Sequence, residues 1–278
     1  MIQINKEKCT GCGLCVRDCT GNIIKVGAGN IQDCPENILI LENGKAAAVT
    51  ECILCGHCAA VCPEKAISIP GYDMEDVEEF AESKFSLKPE RVLRAIKFRR
   101  STRDFQKKKI EREKMERILQ AGRYTETAVN RQACTFVFVQ DGLKELKKLF
   151  WQELPGTLEQ FRKNESPLTQ RFEMFYEMWK KDPTEDRFFF NTPAILVTAT
   201  EFPLDGGLAS ANIETMAVAE DLGILFSGYL VRTISDSKVI REWLGINGKS
   251  IVSCMLIGYP AVSYKRTAPR KKADILWK

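Results

Sequence analysis

The stretch CTGCGLCVRDC, residues 9–19, sets Cys9, Cys12, Cys15 and Cys19 in the spacing Cys-x2-Cys-x2-Cys-x3-Cys, and CILCGHCAAVCP, residues 52–63, repeats it with Cys52, Cys55, Cys58 and Cys62. Three thiolates two residues apart can wrap three irons of one cubane, because Gly11, Gly13 and Gly56 let backbone amides turn towards the sulfurs. The next turn carries the fourth cysteine away from the other three. Structural zinc sites use paired cysteines with long gaps, so this spacing points to one 4Fe-4S cluster per run instead. His57, the only histidine, sits between two of these cysteines and is assigned no ligand role.

Over residues 1–70 the chain resembles bacterial two-cluster ferredoxins. The resemblance implies crossed ligation, with Cys9, Cys12, Cys15 and Cys62 on one centre and Cys52, Cys55, Cys58 and Cys19 on the other. One position stays open. The segment DCTGNIIKVGAGN, residues 18–30, is echoed by DCPENILILENGK, residues 33–45, and Cys34 carries the following proline that usually marks a fourth ligand. Cys19 keeps the local x3 spacing, whereas Cys34 depends on how its loop folds back.

At 278 residues the chain suits two domains, and its 44% apolar and 28% charged residues belong to a soluble globular protein. The expected division is a two-cluster ferredoxin domain over 1–70, a linker over 71–88 through the acidic DMEDVEEFAE, and a larger domain over 89–278. The first 70 residues hold 6 Lys+Arg against 7 Asp+Glu, so their net −1 leaves +5 for the rest of a chain of net +4. That charge argues for neither nucleic acid nor an anionic membrane as partner. No run approaches the roughly 18 apolar residues of a membrane span. The start MIQINKEKC lacks a signal pattern, so a cytoplasmic location is expected, where the 11 cysteines stay reduced and available as ligands.

In the larger domain, periodicity predicts a helix from Pro89 with Val92, Leu93 and Ile96 on one face, and a second ending near Gly122. It predicts strands at 136–139, 195–198, 225–231 and 251–258, and helices at 208–222 and 237–244. The fold class is therefore α+β, a layered domain beside a small ferredoxin-like one. No Gly-x-Gly-x-x-Gly follows a strand, and Gly248-Lys249-Ser250 lacks the upstream glycine of a phosphate loop, so neither a built-in dinucleotide domain nor an NTPase is supported. FRRSTRDF, residues 98–105, gathers arginines and hydroxyls suited to gripping an anion.

Arg99 to Arg103 resembles the Arg-x-Ser-x-Arg/Lys opening of the nitroreductase family. AGRYTETAVNRQ, residues 121–132, MAVAEDLGILFSGYL, residues 216–230, and IGYPAVSYKRTAPRKK, residues 257–272, are similar to further motifs of that family in the expected order. The resemblance implies that Arg99, Arg100, Ser101 and Arg103 bind FMN, with Arg103 near the pyrimidine edge and Arg270 and Lys272 completing the phosphate site. It also implies a homodimer with FMN at the interface, Thr127 and Asn130 approaching the partner's flavin, and Ser227 and Gly228 where the backbone passes the ring. Glu126 replaces a usual proline and Ala133-Cys134 a common Pro-Trp, which alters the wall above the flavin. Residues 150–190 match no motif, and their aromatics could either stack on a flat substrate or pack as a cap.

The resulting expectation is an FMN-dependent oxidoreductase that accepts electrons through two 4Fe-4S clusters from a ferredoxin-like low-potential donor. It would reduce a small aromatic electrophile such as a nitroaromatic or quinone, with no catalytic side chain. The rivals are NAD(P)H reducing the flavin with electrons exported through the clusters, and a non-catalytic electron-transfer or redox-sensing module.

Overall fold

The computed structural model describes residues 1–19, 38–49, 52–81 and 87–278, so Cys34 lies outside the described residues. The chain divides into a smaller unit, Met1–Ser86 with Val129–Arg131, and a larger one, Leu87–Ala128 with Gln132–Lys278. Among the described residues no helix is long and apolar enough to cross a membrane.

The smaller unit runs β1 (Gln3–Ile4), α1 (Leu14–Asp18), β2 (Leu39–Glu42), β3 (Lys45–Ala48), α2 (His57–Ala60) and β4 (Ile67–Ser68). β1 pairs antiparallel with β4, and β2 with β3. The β2–β3 hairpin turns through Asn43 and Gly44, at φ 51° and 73°, the left-handed pair whose twist matches the flanking strands. That turn reaches back to the first cysteine run: a Cβ on Gly11, itself at φ +74°, would lie 1.9 Å from the Gly44 carbonyl oxygen. Only glycine satisfies both the angle and the approach. Such short elements bury little, and Ile38, Leu39, Ile67 and Ile69 share their small core with Cys9, Cys15 and Cys58.

The larger unit comprises α3 (Pro89–Phe98), α4 (Arg112–Arg123), β5 (Thr135–Val139), α5 (Leu143–Lys163), α6 (Thr169–Lys181), β6 (Ala194–Thr200), α7 (Pro203–Ala219), β7 (Gly223–Phe226), α8 (Gly228–Asp236), α9 (Lys238–Leu244) and β8 (Ser250–Gly258). Pro89 and Pro203 occupy first turns, where a missing N–H is harmless, and Gly245 in the left-handed region closes α9. The strands lie in the order β5-β6-β8-β7 with antiparallel neighbours, and Ser101 adds a parallel bridge to Ile224, so the sheet is mixed only at that margin.

Alternation along β6 shows how both faces are covered. Ala194 and Leu196 face α4 and α7 through Ile118 and Ile213, whereas Ile195 and Val197 face α5 and α8 through Leu146, Phe150 and Leu230. The small residues of α7 let it lie close on the sheet, where Ser210 and Ser253 hydroxyls meet at 2.7 Å.

Two expectations change. The strand expected at 225–231 ends at Phe226, because the Ser227 hydroxyl accepts from the Leu230 amide and caps α8. The helix expected at 208–222 begins already at Pro203 and ends at Ala219. On α3 the shared face of Val92, Leu93 and Ile96 is exposed. Residues 150–190, read two ways from sequence, form a packed cap. Phe150, Phe172 and Phe189 are fully buried, and the Trp151 and Trp179 rings stack at 5.0 Å. Phe150→Ala should cost about 3–5 kcal/mol, the usual loss for a buried phenylalanine, read as a lowered thermal midpoint of the larger unit.

Candidate functional site

In the smaller unit the two cysteine runs meet in crossed sets. Cys9, Cys12, Cys15 and Cys62 line one small cavity. Cys19, Cys52, Cys55 and Cys58 line another. Gly13 and Gly56, both left-handed, start α1 and α2, and this places Cys15 and Cys58 inside while the following turns carry Cys19 and Cys62 across. Among the described residues no three His, Cys, Asp or Glu side chains gather around a single metal ion. Four sulfurs about one cavity match the number of thiolates that a 4Fe-4S cubane takes.

The electrostatics follow the same crossing. Burial pushes the Cys58 thiol up to about 11, and Cys55, Cys52 and Cys19 add like charge. Burial also raises Cys15, with Cys62 and Cys12 contributing. Such thiols lose their protons to a metal, not to water. Cys9 is moved the other way, chiefly by the Ala46 amide, which donates to its sulfur at 3.4 Å. The Ala66 amide donates to the Cys62 sulfur, also at 3.4 Å. Lys6 and Lys45 lie close by, donating to the carbonyls of Ala46 and Cys9.

In the larger unit, much of the basic motif converges on β7. The Thr102 amide donates to the Ile224 carbonyl at 3.0 Å, and Ser101 bridges the same residue. Thr102 is buried so tightly that a Cβ on Gly223 would meet its hydroxyl at 2.1 Å. Past this point the segment is tied to the Gly-Tyr-Pro region, with Gln106 donating to the Tyr259 carbonyl and Ala261 to the Asp104 carbonyl. Ser227 and Gly228 follow directly from β7; Ser227 is occupied as a cap, and a Cβ on Gly228 would meet open space.

The arginines differ in placement. Arg100 is half-buried and Arg103 exposed. Arg99 is engaged, its guanidinium donating to Glu214 on α7 at 3.1 Å. Arg270 and Lys272 lie on the exposed C-terminal stretch, where Arg270 donates to the Pro269 carbonyl. Thr127 lines a broad, open pocket with Gly122, Arg123, Gln132, Cys134 and Phe136, and its hydroxyl accepts from the Gln132 amide. Asn130 lies in the smaller unit, where its amide donates to the carbonyls of Ile53 and Leu54. Burial raises the Cys134 thiol, which suits a packed residue better than a nucleophile.

Two residues escaped the sequence reading. Asp205, buried, accepts from the Ala128 amide through both carboxylate oxygens. Glu214, the second acid of α7, is the partner of Arg99, and nothing in the sequence pairs the two.

Burial raises the Glu214 carboxyl in spite of Arg99. The folded state therefore holds this proton to higher pH than the unfolded chain, and stability falls as pH rises from the ordinary carboxylate range through the raised value. Denaturant midpoints measured from pH 4 to 7 should show this fall, and Glu214→Gln should remove it.

Comparison with known proteins follows the two units. A family model described as the nitroreductase family matches residues 96–259, and one described as a 4Fe-4S binding domain matches residues 2–25. Among solved structures, a nitroreductase with bound FMN from Bacteroides fragilis is similar at a TM-score of 0.53 and 21% identity, over 67% of this chain and 98% of that one. A nitroreductase with bound FMN from Desulfitobacterium hafniense gives 0.52 and 19%, over 66% and 98%. At these identities the likeness concerns the fold. A search of curated proteins finds no match.

Proposed function

Because this chain belongs to the nitroreductase family and carries a 4Fe-4S binding segment ahead of it, we propose that it is an FMN oxidoreductase fed with single electrons through two 4Fe-4S clusters. The observation that carries this reading is the pair of crossed cysteine sets, each lining its own cavity, in one chain with the family's basic motif fixed beside β7. Bound FMN takes one or two electrons and can pass them to a flat electrophile such as a nitroaromatic or quinone, which lets one-electron carriers supply a two-electron reduction.

The chain's own residues hold and tune these groups. Cys9, Cys12, Cys15 and Cys62 hold one cluster, and Cys19, Cys52, Cys55 and Cys58 the other. The Ala46 and Ala66 amides, directed at the Cys9 and Cys62 sulfurs, favour added negative charge on the first. Arg100, Ser101 and Arg103 bind FMN, with Arg270 and Lys272 on its phosphate and the backbone at Ser227 and Gly228 beside its ring. Arg99 joins them if its Glu214 partner yields, and until then their ion pair keeps its guanidinium in place. Thr127 serves the flavin of a second copy. The homodimer is supported by the apolar face of α3, where Val92, Leu93 and Ile96 stand exposed. A second copy burying that face would give a sedimenting species of twice the chain mass. The electron donor is of the low-potential ferredoxin type, since clusters and such a donor both pass electrons one at a time.

Anaerobically purified protein should hold about eight irons, eight sulfides and one FMN per chain; zinc without acid-labile sulfide would contradict the cluster reading. Arg270→Ala should weaken FMN retention roughly 10 to 150-fold, the worth of a charge-assisted contact to phosphate, measured by flavin loss on gel filtration. Stopped-flow reduction should show FMN bleaching with reduced ferredoxin and slow or no bleaching with NADH or NADPH. Rapid bleaching by a nicotinamide in protein stripped of its clusters would reverse the proposed direction of flow.

A further inference from the structure

The two cysteine runs fold alike but not at equal cost. Gly11, between Cys9 and Cys12, is left-handed, and the matching residue between Cys52 and Cys55 is Leu54, at φ 54°. A glycine takes that angle freely, whereas a leucine there is strained and persists only where its surroundings hold it. Its surroundings include Asn130. The Asn130 side-chain nitrogen lies 2.9 Å from the Leu54 carbonyl oxygen, 3.2 Å from that of Ile53 and 3.3 Å from the Tyr72 hydroxyl. Two carbonyl oxygens can be met only by the NH2 end, which fixes the orientation of the amide. Asn130 is itself held in an unusual backbone, with Val129 at φ 48°, ψ 33° and Asn130 at φ 55°. Consecutive left-handed residues, one of them β-branched, are rare and collect where function requires them.

We infer that Asn130 is a positioning residue for the Cys52–Cys55 turn, bracing the strained backbone on which the second 4Fe-4S centre depends. This rests on the proposal that Cys19, Cys52, Cys55 and Cys58 hold a second cluster. It assigns Asn130 a task other than contact with a flavin. Without the amide, Leu54 can relax out of the left-handed region, moving Cys52 and Cys55 apart from the arrangement they need. The first run, with glycine at the matching position, has no such dependence.

The test uses full-length protein, reconstituted anaerobically, with iron release to an excess of chelator followed in time and the reduced clusters examined by electron paramagnetic resonance. Wild type should hold about eight irons and show both cluster signals. Asn130→Ala should release four of them about tenfold faster, as expected for the loss of one to two hydrogen bonds, with the other four and the FMN unchanged. Adding Leu54→Gly to Asn130→Ala should restore slow release, because glycine no longer needs the brace. Equal release rates in wild type and Asn130→Ala, parallel loss of both clusters and FMN, or failure of Leu54→Gly to rescue would each overturn the inference. Wild type with only four irons would instead remove the second cluster itself, and the role of Asn130 with it.

Discussion

Each cysteine-lined cavity of the smaller unit is completed by one cysteine from the other run, and this exchange constrains everything around it. Cys62 reaches the cavity of Cys9, Cys12 and Cys15, and Cys19 that of Cys52, Cys55 and Cys58. Neither run can close its own site, so both must fold together. The short strands, the tight hairpin at Asn43 and Gly44 and the contact of Gly11 with Gly44 serve that joint closure with little apolar core to help. A unit of this size gains much of its stability from ligation, since metal binding and folding share one free energy.

The larger unit rests on the opposite resource, a sheet covered on both faces. That rigidity is what holds the basic motif in place: Ser101 and Thr102 are tied to β7, and the stretch up to Gln106 to the region around Tyr259. Arg100 and Arg103 then project from a fixed rail. The ion pair of Arg99 with Glu214 shows that a basic motif need not offer all its charges to a ligand.

What was legible in the sequence depended on how local the determining physics is. Cysteine spacing and the glycines between them are local, and the crossed sets could be anticipated from them together with the ferredoxin resemblance. The helix start at Pro89 and the buried strands around Ile195 and Ile251 were visible because their signals lie within one turn or a few residues, whereas the start of α7 at Pro203, ahead of the expected Leu208, was missed. The end of the strand at Phe226 was missed because a single serine cap outweighed a run of β-prone residues. Glu214 and Asp205 acquire their roles only through residues 115 and 77 positions away, which no periodicity records. The contacts of Asn130 with two carbonyls of a cysteine turn, 77 and 76 positions away, are likewise beyond what its motif records.

Crossed ligation is the central claim, and one measurement reaches it directly. Single serine variants at Cys12, Cys55 and Cys62 would be compared by electron paramagnetic resonance during redox titration. The account predicts that Cys62→Ser perturbs the same centre as Cys12→Ser, although Cys62 belongs to the other run. A Cys62→Ser spectrum matching that of Cys55→Ser would contradict it.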